Sequence, residues 1–259
     1  MNKLLITLLR GCMPVLLGGW MLSSCTTHYH VTGMNRTRML IDKRYDAQPE
    51  TAAQAFLAPY KQQVDSIMSP VVGRIAKYMA AQRPESTLSN LLADVLIWSG
   101  EAYSEKPVVG VYNIGGIRAA LAEGNVTYGD VVDVAPFENK ICFLTLTGEK
   151  LLELFKQIAS RGGEGVSHGV ELHIGNRKLI SARLNGQEIN PQGSYRVATL
   201  DYLAQGNDGL VAFKSGTDVV SPQNNENNIR FIIMDYFRAE TAKGNVVDAN
   251  IEGRIVDEK

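Results

Sequence analysis

Residues 112–155 read YNIGGIRAALAEGNVTYGDVVDVAPFENKICFLTLTGEKLLELF, and the order of elements within them indicates the fold class. A strand predicted over Pro107–Tyr112 runs into the glycine-rich NIGGIR, and a second strand is predicted over Lys140–Leu146. Thr147 then stands where a helix N-cap is expected, ahead of apolar residues at helical spacing. Strand, glycine-rich turn, strand and helix follow one another without a strict alternation.

The predicted elements on either side complete a mixed arrangement of strands and helices. Residues 70–79 are compatible with a strand or a short helix, and a helix over Leu57–Ile67 is expected to accommodate Pro59 only near its first turn. Because the strands neither alternate strictly with helices nor cluster together, we predict an α+β domain with a mixed β-sheet and packed helices. The other expected elements are helices over Leu88–Leu96, Leu151–Ile158 and Ile229–Phe237, and strands over Val170–Ile174, Leu179–Leu184 and Tyr195–Leu200.

The composition is that of an ordinary globular protein and excludes several functional classes. The 259 residues are 45% hydrophobic and 20% charged, with 26 Lys and Arg against 27 Asp and Glu. These values exclude a disordered or coiled-coil chain, and the lack of a basic excess argues against nucleic acid as a partner. Two of the four His residues, His28 and His30, lie near the amino terminus as a weak candidate metal pair, which leaves few imidazoles for a two-metal hydrolase.

The first 25 residues, MNKLLITLLRGCMPVLLGGWMLSSC, have the layout of a secretory signal. A basic start precedes an apolar run that is too short to span a membrane as a helix. Residues 22–25 resemble the bacterial lipobox, in which the cysteine is lipidated, although an ordinary cleaved signal with a chance cysteine is the alternative. We expect a signal peptide over residues 1–24 and a lipoprotein anchored through Cys25. Thr26, which is not acidic, favours the outer membrane, with the protein facing the periplasm.

Residues 25–48 are polar and basic and are interpreted as a tether to a single domain over residues 49–259. An extended piece such as Thr37–Ile41 is a candidate to pair with that domain. Once Cys12 is removed and Cys25 acylated, Cys142 is the only cysteine left, so no internal disulfide is expected. Cys142 stands in an apolar strand and is interpreted as a core residue rather than a nucleophile.

Several motifs in a fixed order carry the functional signal. In order and spacing they resemble the C-terminal domain of the 5′-nucleotidase and UDP-sugar hydrolase family, and the resemblance covers most of residues 50–240. It implies the fold of that domain, which in the family holds the base and sugar of the substrate. The motifs are PESTLSNLLADVL (84–96), the stretch 112–155 with its GGIR, PFEN and LTG elements, GGEGVSHGV (162–170) and YRVATLDYLAQGNDG (195–209).

The resemblance implies a substrate-binding role for five residues. Arg118 of GGIR is expected to contact substrate at a domain interface, and Phe137 and Tyr202 are expected to enclose the base between two aromatic rings. Asn139 then offers an amide, and Asp208 contacts the sugar hydroxyls. The residue types suit these roles, because stacked rings bind any base and a carboxylate accepts two hydrogen bonds from a diol.

Each residue also has a simpler interpretation when it is taken alone. Phe137 and Tyr202 are compatible with core positions, Arg118 with an ion pair to Glu123 or Asp130, and Asp208 with a turn.

The chain departs from the family pattern at three places. Asn207 replaces the second of two glycines before the acid, where its tolerance of left-handed backbone conformation is expected to preserve the loop. Tyr202 occupies a position that is often Phe. Lys77 and Arg83 lie near the upstream arginines of the family but cannot be aligned with them, which leaves the phosphate contact open.

The catalytic motifs of the family do not occur in this sequence. In that family a separate N-terminal domain holds two metals with Asp, His and Asn, and it carries a DxH and then a GNH element; neither is present here. We therefore expect no cofactor on this chain and divalent metals only on a separate partner. Whether the chain is itself an enzyme stays open.

Three functions are compatible with these observations. The preferred one is a lipid-anchored binder of nucleosides or nucleotides that acts in nucleotide catabolism with a separately encoded metallophosphatase. The alternatives are a hydrolase with an unrecognised site and a scaffold that kept the fold and lost its ligand. The joint presence of the motifs favours the first.

Overall fold

The computed structural model describes residues 29–44 and 50–258, and the chain divides into two units, residues 1–54 and 55–259. The predicted signal peptide, Cys25 and the tether boundary at residue 48 lie outside the described residues, as does His28, so these stay predictions. Thr37–Ile41 contains no strand. Within the described ranges, no helix has both the length and the apolar character needed to cross a bilayer.

The first helix of the described ranges, α1 (Thr51–Met68), is exposed over residues 51–67 and has no buried residue. The expectation that Pro59 lies near the first turn is wrong, because the helix begins eight residues earlier. Proline in a helix interior leaves the carbonyl four residues before it without its usual donor. That carbonyl belongs to the exposed Ala55, where water can supply the missing hydrogen bond.

Three β-sheets and six α-helices, joined by short 3₁₀ turns, form the described part of the chain. The strand orders are β10-β4-β9-β2-β5 in the central sheet, β11-β6-β7-β8 in the second and β1-β3 in the third. The strands are β1 (Val71–Ile75), β2 (Val109–Tyr112), β3 (Gly124–Thr127), β4 (Ile141–Thr147), β5 (Gly165–Val166), β6 (Val170–Gly175), β7 (Lys178–Leu184), β8 (Gln187–Glu188), β9 (Ser194–Leu200), β10 (Thr217–Val220) and β11 (Ile255–Asp257). The remaining helices are α2 (Thr87–Ser99), α3 (Tyr128–Val134), α4 (Gly148–Ser160), α5 (Asp201–Ala204) and α6 (Ile229–Ala242).

Strand directions in the central sheet decide which loops share an edge. β2 pairs with β9 in parallel, whereas β4 is antiparallel to β9 and β5 is antiparallel to β2. The carboxyl ends of β2 and β9 therefore meet the amino ends of β4 and β5 at one edge of the sheet. We call this the ligand edge.

Local capping agrees with the sequence-based helix starts. Thr147 accepts a hydrogen bond from the backbone N–H of Lys150 at 3.3 Å, as expected for the N-cap of α4. Asn228 caps α6 in the same way, accepting from Arg230 N at 3.1 Å. Each cap satisfies one of the donors that a helix start leaves without a partner.

Helix α2 is buried on more than the apolar face that its stripe predicts. Its polar residues Ser89 and Asn90 are also buried. Asn90 Nδ2 donates to Glu85 Oε1 at 2.7 Å and to the backbone oxygen of Asn250 at 2.9 Å. The second face is thus covered by the chain near the carboxyl terminus, a contact that helical periodicity alone does not reveal.

The predicted fold class is confirmed: mixed sheets and packed helices form an α+β structure. Cys142 lies in β4 with 1% of its surface exposed, and burial raises the pKa of its thiol to about 11. The burial of Cys142 agrees with its interpretation as a core residue.

Candidate ligand-binding site

A cavity of about 240 Å³ opens at the ligand edge of the central sheet. Its wall combines aromatic, amide, carboxylate and guanidinium groups with two glycines, which is the composition of a small-molecule site. The lining residues are Asn113, Gly115, Gly116, Phe137, Asn139, Arg161, Tyr202 and Asp208.

The sheet topology brings these residues together from distant parts of the chain. Asn113 directly follows β2, and Tyr202 follows β9 within the short helix α5. Asn139 shortly precedes β4, and Arg161 precedes β5. Because these ends of the four strands share one edge, residues separated by up to 95 positions line a single cavity.

Asp201 fastens two of these loops to each other. Its carboxylate Oδ1 accepts from Lys140 N at 3.0 Å and from Tyr202 N at 2.7 Å, and its own N–H donates to Lys140 O at 2.9 Å. The start of β4 is thereby held beside the end of β9, so the segments that carry Asn139 and Tyr202 stay adjacent.

The two predicted aromatic residues both line the cavity and neither is a core residue. Phe137 is 47% exposed and Tyr202 is 37% exposed, which excludes the alternative that they only fill the interior. The two rings form no aromatic pair with each other in the described part of the chain. Both are therefore available to a ligand.

Asp208 is held in place by the side chains around it. Its Oδ2 accepts from Asn113 Nδ2 at 2.7 Å and its Oδ1 accepts from the Tyr202 hydroxyl at 3.1 Å. Arg161 Nη2 lies 3.8 Å from Oδ2. The carboxylate is thus both a turn residue, as its simpler interpretation had it, and a fixed acceptor on the cavity wall.

The loop before Asp208 differs from the expectation placed on Asn207. The left-handed residues are Gly206 (φ 79°), Asp208 itself (φ 55°) and Gly209 (φ 74°), whereas Asn207 is not among them. The Asn207 side chain instead donates to Tyr202 O at 2.8 Å. It therefore ties the loop to the aromatic residue rather than relaxing a backbone constraint.

Glu164 lies behind the cavity and connects three segments. With 1% of its surface exposed, it accepts from Arg83 Nη2 and Arg161 Nε, each at 2.5 Å, and from the backbone N–H of Ile114 at 2.6 Å. Gly163 allows this approach, because its φ of +111° disfavours any side chain and a Cβ there would lie 2.3 Å from Pro84 O.

Asn113 carries an unusual buried acceptor. The residue is 4% exposed, and its Oδ1 has no hydrogen-bond partner among the described residues, while its Nδ2 is committed to Asp208. A Cβ on Gly116 would lie 2.6 Å from this Oδ1. The second glycine of GGIR is therefore required by the packing of Asn113.

The carboxylates of Glu164 and Asp208 shift the pKa values of two side chains of the cavity wall. Burial by itself lowers the pKa of Arg161, but the hydrogen bond and charge of Glu164 and the charge of Asp208 outweigh it and raise that pKa. The pKa of Tyr202 is raised, chiefly because its hydroxyl donates to Asp208. Arg161 is thus a permanent cation, and Tyr202 is a neutral donor at neutral pH.

Arg118 differs from the other four predicted residues because it does not line the cavity. Its exposed side chain donates to Gly115 O at 3.3 Å, so it lies beside the cavity glycines. It makes no ion pair with Glu123 or Asp130 within the described ranges, which removes that alternative.

The two unaligned upstream cations have different positions. Arg83 belongs to the Glu164 cluster, and its Nε also donates to Gly163 O at 2.8 Å. Lys77 instead pairs with Asp248 at 2.8 Å and donates to the Asn250 side chain at 2.6 Å. Of the two, only Arg83 is connected to the cavity wall.

Sequence reasoning did not assign three residues of this site. Asn113 and Glu164 stand inside the quoted motifs NIGGIR and GGEG, so their position beside glycines was the available signal. Arg161 belongs to no motif, and its approach to Asp208 depends on strand pairing. Within residues 29–44 and 50–258, no cluster of three or more His, Cys, Asp or Glu side chains is arranged to hold a metal ion.

Comparisons with known proteins place this site in a family context. The model of the 5′-nucleotidase C-terminal domain matches residues 71–215. The trifunctional nucleotide phosphoesterase protein YfkN of Bacillus subtilis is 28% identical over 243 residues, covering 85% of this chain and 16% of that protein. The 5′-nucleotidase of Vibrio vulnificus is 24% identical over 168 residues, covering 63% of this chain and 30% of that protein.

A solved structure agrees in fold. The crystal structure of a 5′-nucleotidase precursor from Thermus thermophilus superposes with a TM-score of 0.70 at 25% identity, covering 80% of this chain and 43% of that one. This chain therefore spans less than half of the structure it matches and less than a third of these curated relatives.

Proposed function

This chain belongs to the family of the 5′-nucleotidase C-terminal domain, and from that premise we propose that its cavity binds the base and sugar of a nucleoside or nucleotide. The observation that carries the proposal is that Phe137 and Tyr202, two partly exposed rings, line one cavity with Asn139 and Asp208. Two rings with free faces suit a planar base, since stacking contributes about 1–3 kcal/mol per base with little preference among bases.

Each polar side chain at the cavity is proposed to contact a different part of the ligand. Asp208, already fixed by Asn113 and Tyr202, presents its remaining acceptor capacity to the sugar hydroxyls. Asn139 makes no side-chain hydrogen bond to another described residue, so its amide is free to meet the edge of the base. Arg118, exposed beside the glycines, is in position to meet a phosphate outside the cavity.

Direct binding tests this proposal. Calorimetry with adenosine, AMP and UDP-glucose is expected to show binding that Phe137→Ala weakens about five- to 150-fold, the loss of one stacked face. Tyr78→Ala is the matched control, because Tyr78 is a 65% exposed ring that does not line the cavity. Absence of nucleoside binding by the wild type, or an unchanged affinity of Phe137→Ala, contradicts the proposal and favours a scaffold that lost its ligand.

We propose further that phosphate release is carried out on a separate metallophosphatase chain. The first supporting observation is that the sequence contains no DxH or GNH element. The second is that the apolar side chains of α1, which directly precedes the matched domain, are exposed and therefore offer a surface for contact with such a chain. The proposal is contradicted if the purified chain releases phosphate from AMP in a metal-dependent reaction that a single substitution in the cavity abolishes. The exposed apolar residues of α1 are Phe56, Leu57, Tyr60, Val64 and Ile67.

The proposed location is the bacterial envelope, with lipid attachment at Cys25. Its support is the lipobox-like sequence before that cysteine. Cys25→Ala is expected to leave the protein unprocessed or to release it to the soluble fraction, which membrane fractionation and the mature mass measure. Unchanged fractionation and mass contradict lipid anchoring.

A further inference from the structure

Residues 29–44, YHVTGMNRTRMLIDKR, combine positive charge with exposed apolar side chains; we call them the basic–apolar segment. The segment contains no helix or strand, and all of its residues are exposed. Its cations are Arg36, Arg38, Lys43 and Arg44, against the single acid Asp42, a net charge of +3. Its exposed apolar residues are Tyr29, Val31, Met34, Met39, Leu40 and Ile41.

The rest of the chain has the opposite charge. Residues 45–259 contain 20 Lys and Arg against 26 Asp and Glu, a net charge of −6. The whole-chain value of −1 therefore conceals a basic amino-terminal part and an acidic domain. A basic segment attached to an acidic domain is the charge pattern of a chain that meets an anionic surface through one short region.

We propose that the basic–apolar segment binds an anionic lipid surface directly. Cations near such a surface are attracted by its negative potential, and apolar side chains between them insert at the headgroup boundary. Met39, Leu40 and Ile41 lie between Arg38 and Lys43, so insertion and charge contact occur within the same few residues.

A lipid surface fits this segment better than a nucleic acid. The acidic domain repels nucleic acid, and the apolar side chains have no role in contacts to phosphates along a duplex. Tyr29 lies four residues after Cys25, so the proposed anchor places the segment at a bilayer. The inference rests on the proposed anchoring for its location, but the affinity for lipid belongs to the segment itself.

The test uses residues 25–259 with Cys25→Ser, so that lipid attachment cannot contribute. Co-sedimentation with vesicles of phosphatidylglycerol and phosphatidylethanolamine is expected to show binding that weakens as salt rises. Replacing all four cations of the segment with Gln is expected to lower the partition coefficient about 600-fold at low salt, because each cation near the surface contributes about fivefold. Replacing Met39, Leu40 and Ile41 with Ser is expected to weaken binding as well.

A matched control removes the same number of cations from the exposed surface of the domain, at Lys156, Arg177, Lys178 and Arg183, and is expected to bind vesicles as the parent does. Absence of vesicle binding, equal binding to neutral phosphatidylcholine, or unchanged binding by the four-Gln variant overturns the proposal. Concentration-dependent self-association that the four-Gln variant loses, without vesicle binding, assigns the segment to the acidic domain of a second copy instead. Because Cys25 is substituted throughout, failure of lipid binding is distinguishable from failure of anchoring, which only fractionation of the intact protein reports.

Discussion

The two walls of the cavity at the ligand edge differ in how far their side chains are already engaged. On the aromatic wall, Phe137 is half exposed and Asn139 makes no side-chain hydrogen bond to a described residue. On the charged wall, Asn113, Arg161 and Asp208 are joined to one another and to the buried Glu164 behind them. Tyr202 belongs to both, since its ring lines the cavity and its hydroxyl donates to Asp208.

This difference distinguishes residues that stabilise the folded protein from residues whose contacts are made only when a ligand binds. Apart from Asn113 Oδ1, the polar groups of the charged wall are paired within the protein, so the geometry of this wall exists before a ligand arrives and costs little to organise on binding. The aromatic wall gains its contacts only from a ligand. Substitutions in the charged wall are therefore expected to affect folding as well as binding, and substitutions in the aromatic wall to affect binding alone.

The largest effect is expected for Glu164→Ala. The substitution leaves Arg83 and Arg161 without their shared buried anion and Ile114 N–H without its acceptor, which is expected to lower the free energy of unfolding by about 3–5 kcal/mol. Urea denaturation measures the change. Glu105→Ala is the matched control, because Glu105 pairs with Arg196 away from the cavity and both side chains are 17% exposed, so a smaller loss is expected. Equal losses for the two variants contradict a special role of Glu164.

An intermediate effect is expected for Asp208→Asn. Asn tolerates the left-handed conformation of this position, so the backbone is expected to be kept. The weakened hydrogen bonds to Asn113 and Tyr202 are expected to lower the free energy of unfolding by about 1 kcal/mol, less than for Glu164→Ala. Binding of ribosides is expected to weaken by about 1.5–3 kcal/mol, because a hydrogen bond to a charged group is lost, while a 2′,3′-dideoxynucleoside is expected to be much less affected. Calorimetry with both ligands measures this.

The control for that substitution is Asp218→Asn, since Asp218 also has a positive φ (49°) but does not line the cavity. It is expected to bind both ligands as the wild type does. If Asp208→Asn affects the riboside and the dideoxynucleoside equally, Asp208 does not read the sugar hydroxyls.

The smallest effect is expected for Tyr202→Phe, which keeps the ring and removes one hydrogen bond to Asp208. A hydrogen bond to a carboxylate contributes about 1.5–3 kcal/mol, but this one positions Asp208 and does not contact the ligand. Nucleoside affinity is therefore expected to fall at most about fivefold. Tyr202→Ala is expected to lose the stacking face as well and to bind far more weakly, with a melting temperature near wild type. If the two variants bind alike, the hydroxyl rather than the ring is what the ligand requires.

Much of this site could be predicted because local chemistry and motif order agree. Phe137, Asn139, Tyr202 and Asp208 were assigned from the sequence, and all four line one cavity. Arg161 was not assigned, because it lies just outside the GGEG motif, at the end of a predicted helix where an arginine is common. Its place beside Asp208 results from the pairing of β5 with β2, and pairing between strands so far apart in sequence leaves no local signal.

The burial of helices α1 and α2 shows the same limit on what the sequence can predict. The sequence by itself determined that α1 and α2 are helices, because apolar spacing acts within a few residues, although it placed the start of α1 at Leu57 rather than Thr51. Only the tertiary structure decided how far each helix is buried. The apolar stripe of α1 is exposed, whereas α2 is buried even at Ser89 and Asn90. Which face of a helix is covered depends on segments more than a hundred residues away, such as Asn250 against Asn90. Periodicity specifies that a face is apolar, and only the assembled chain supplies what covers it.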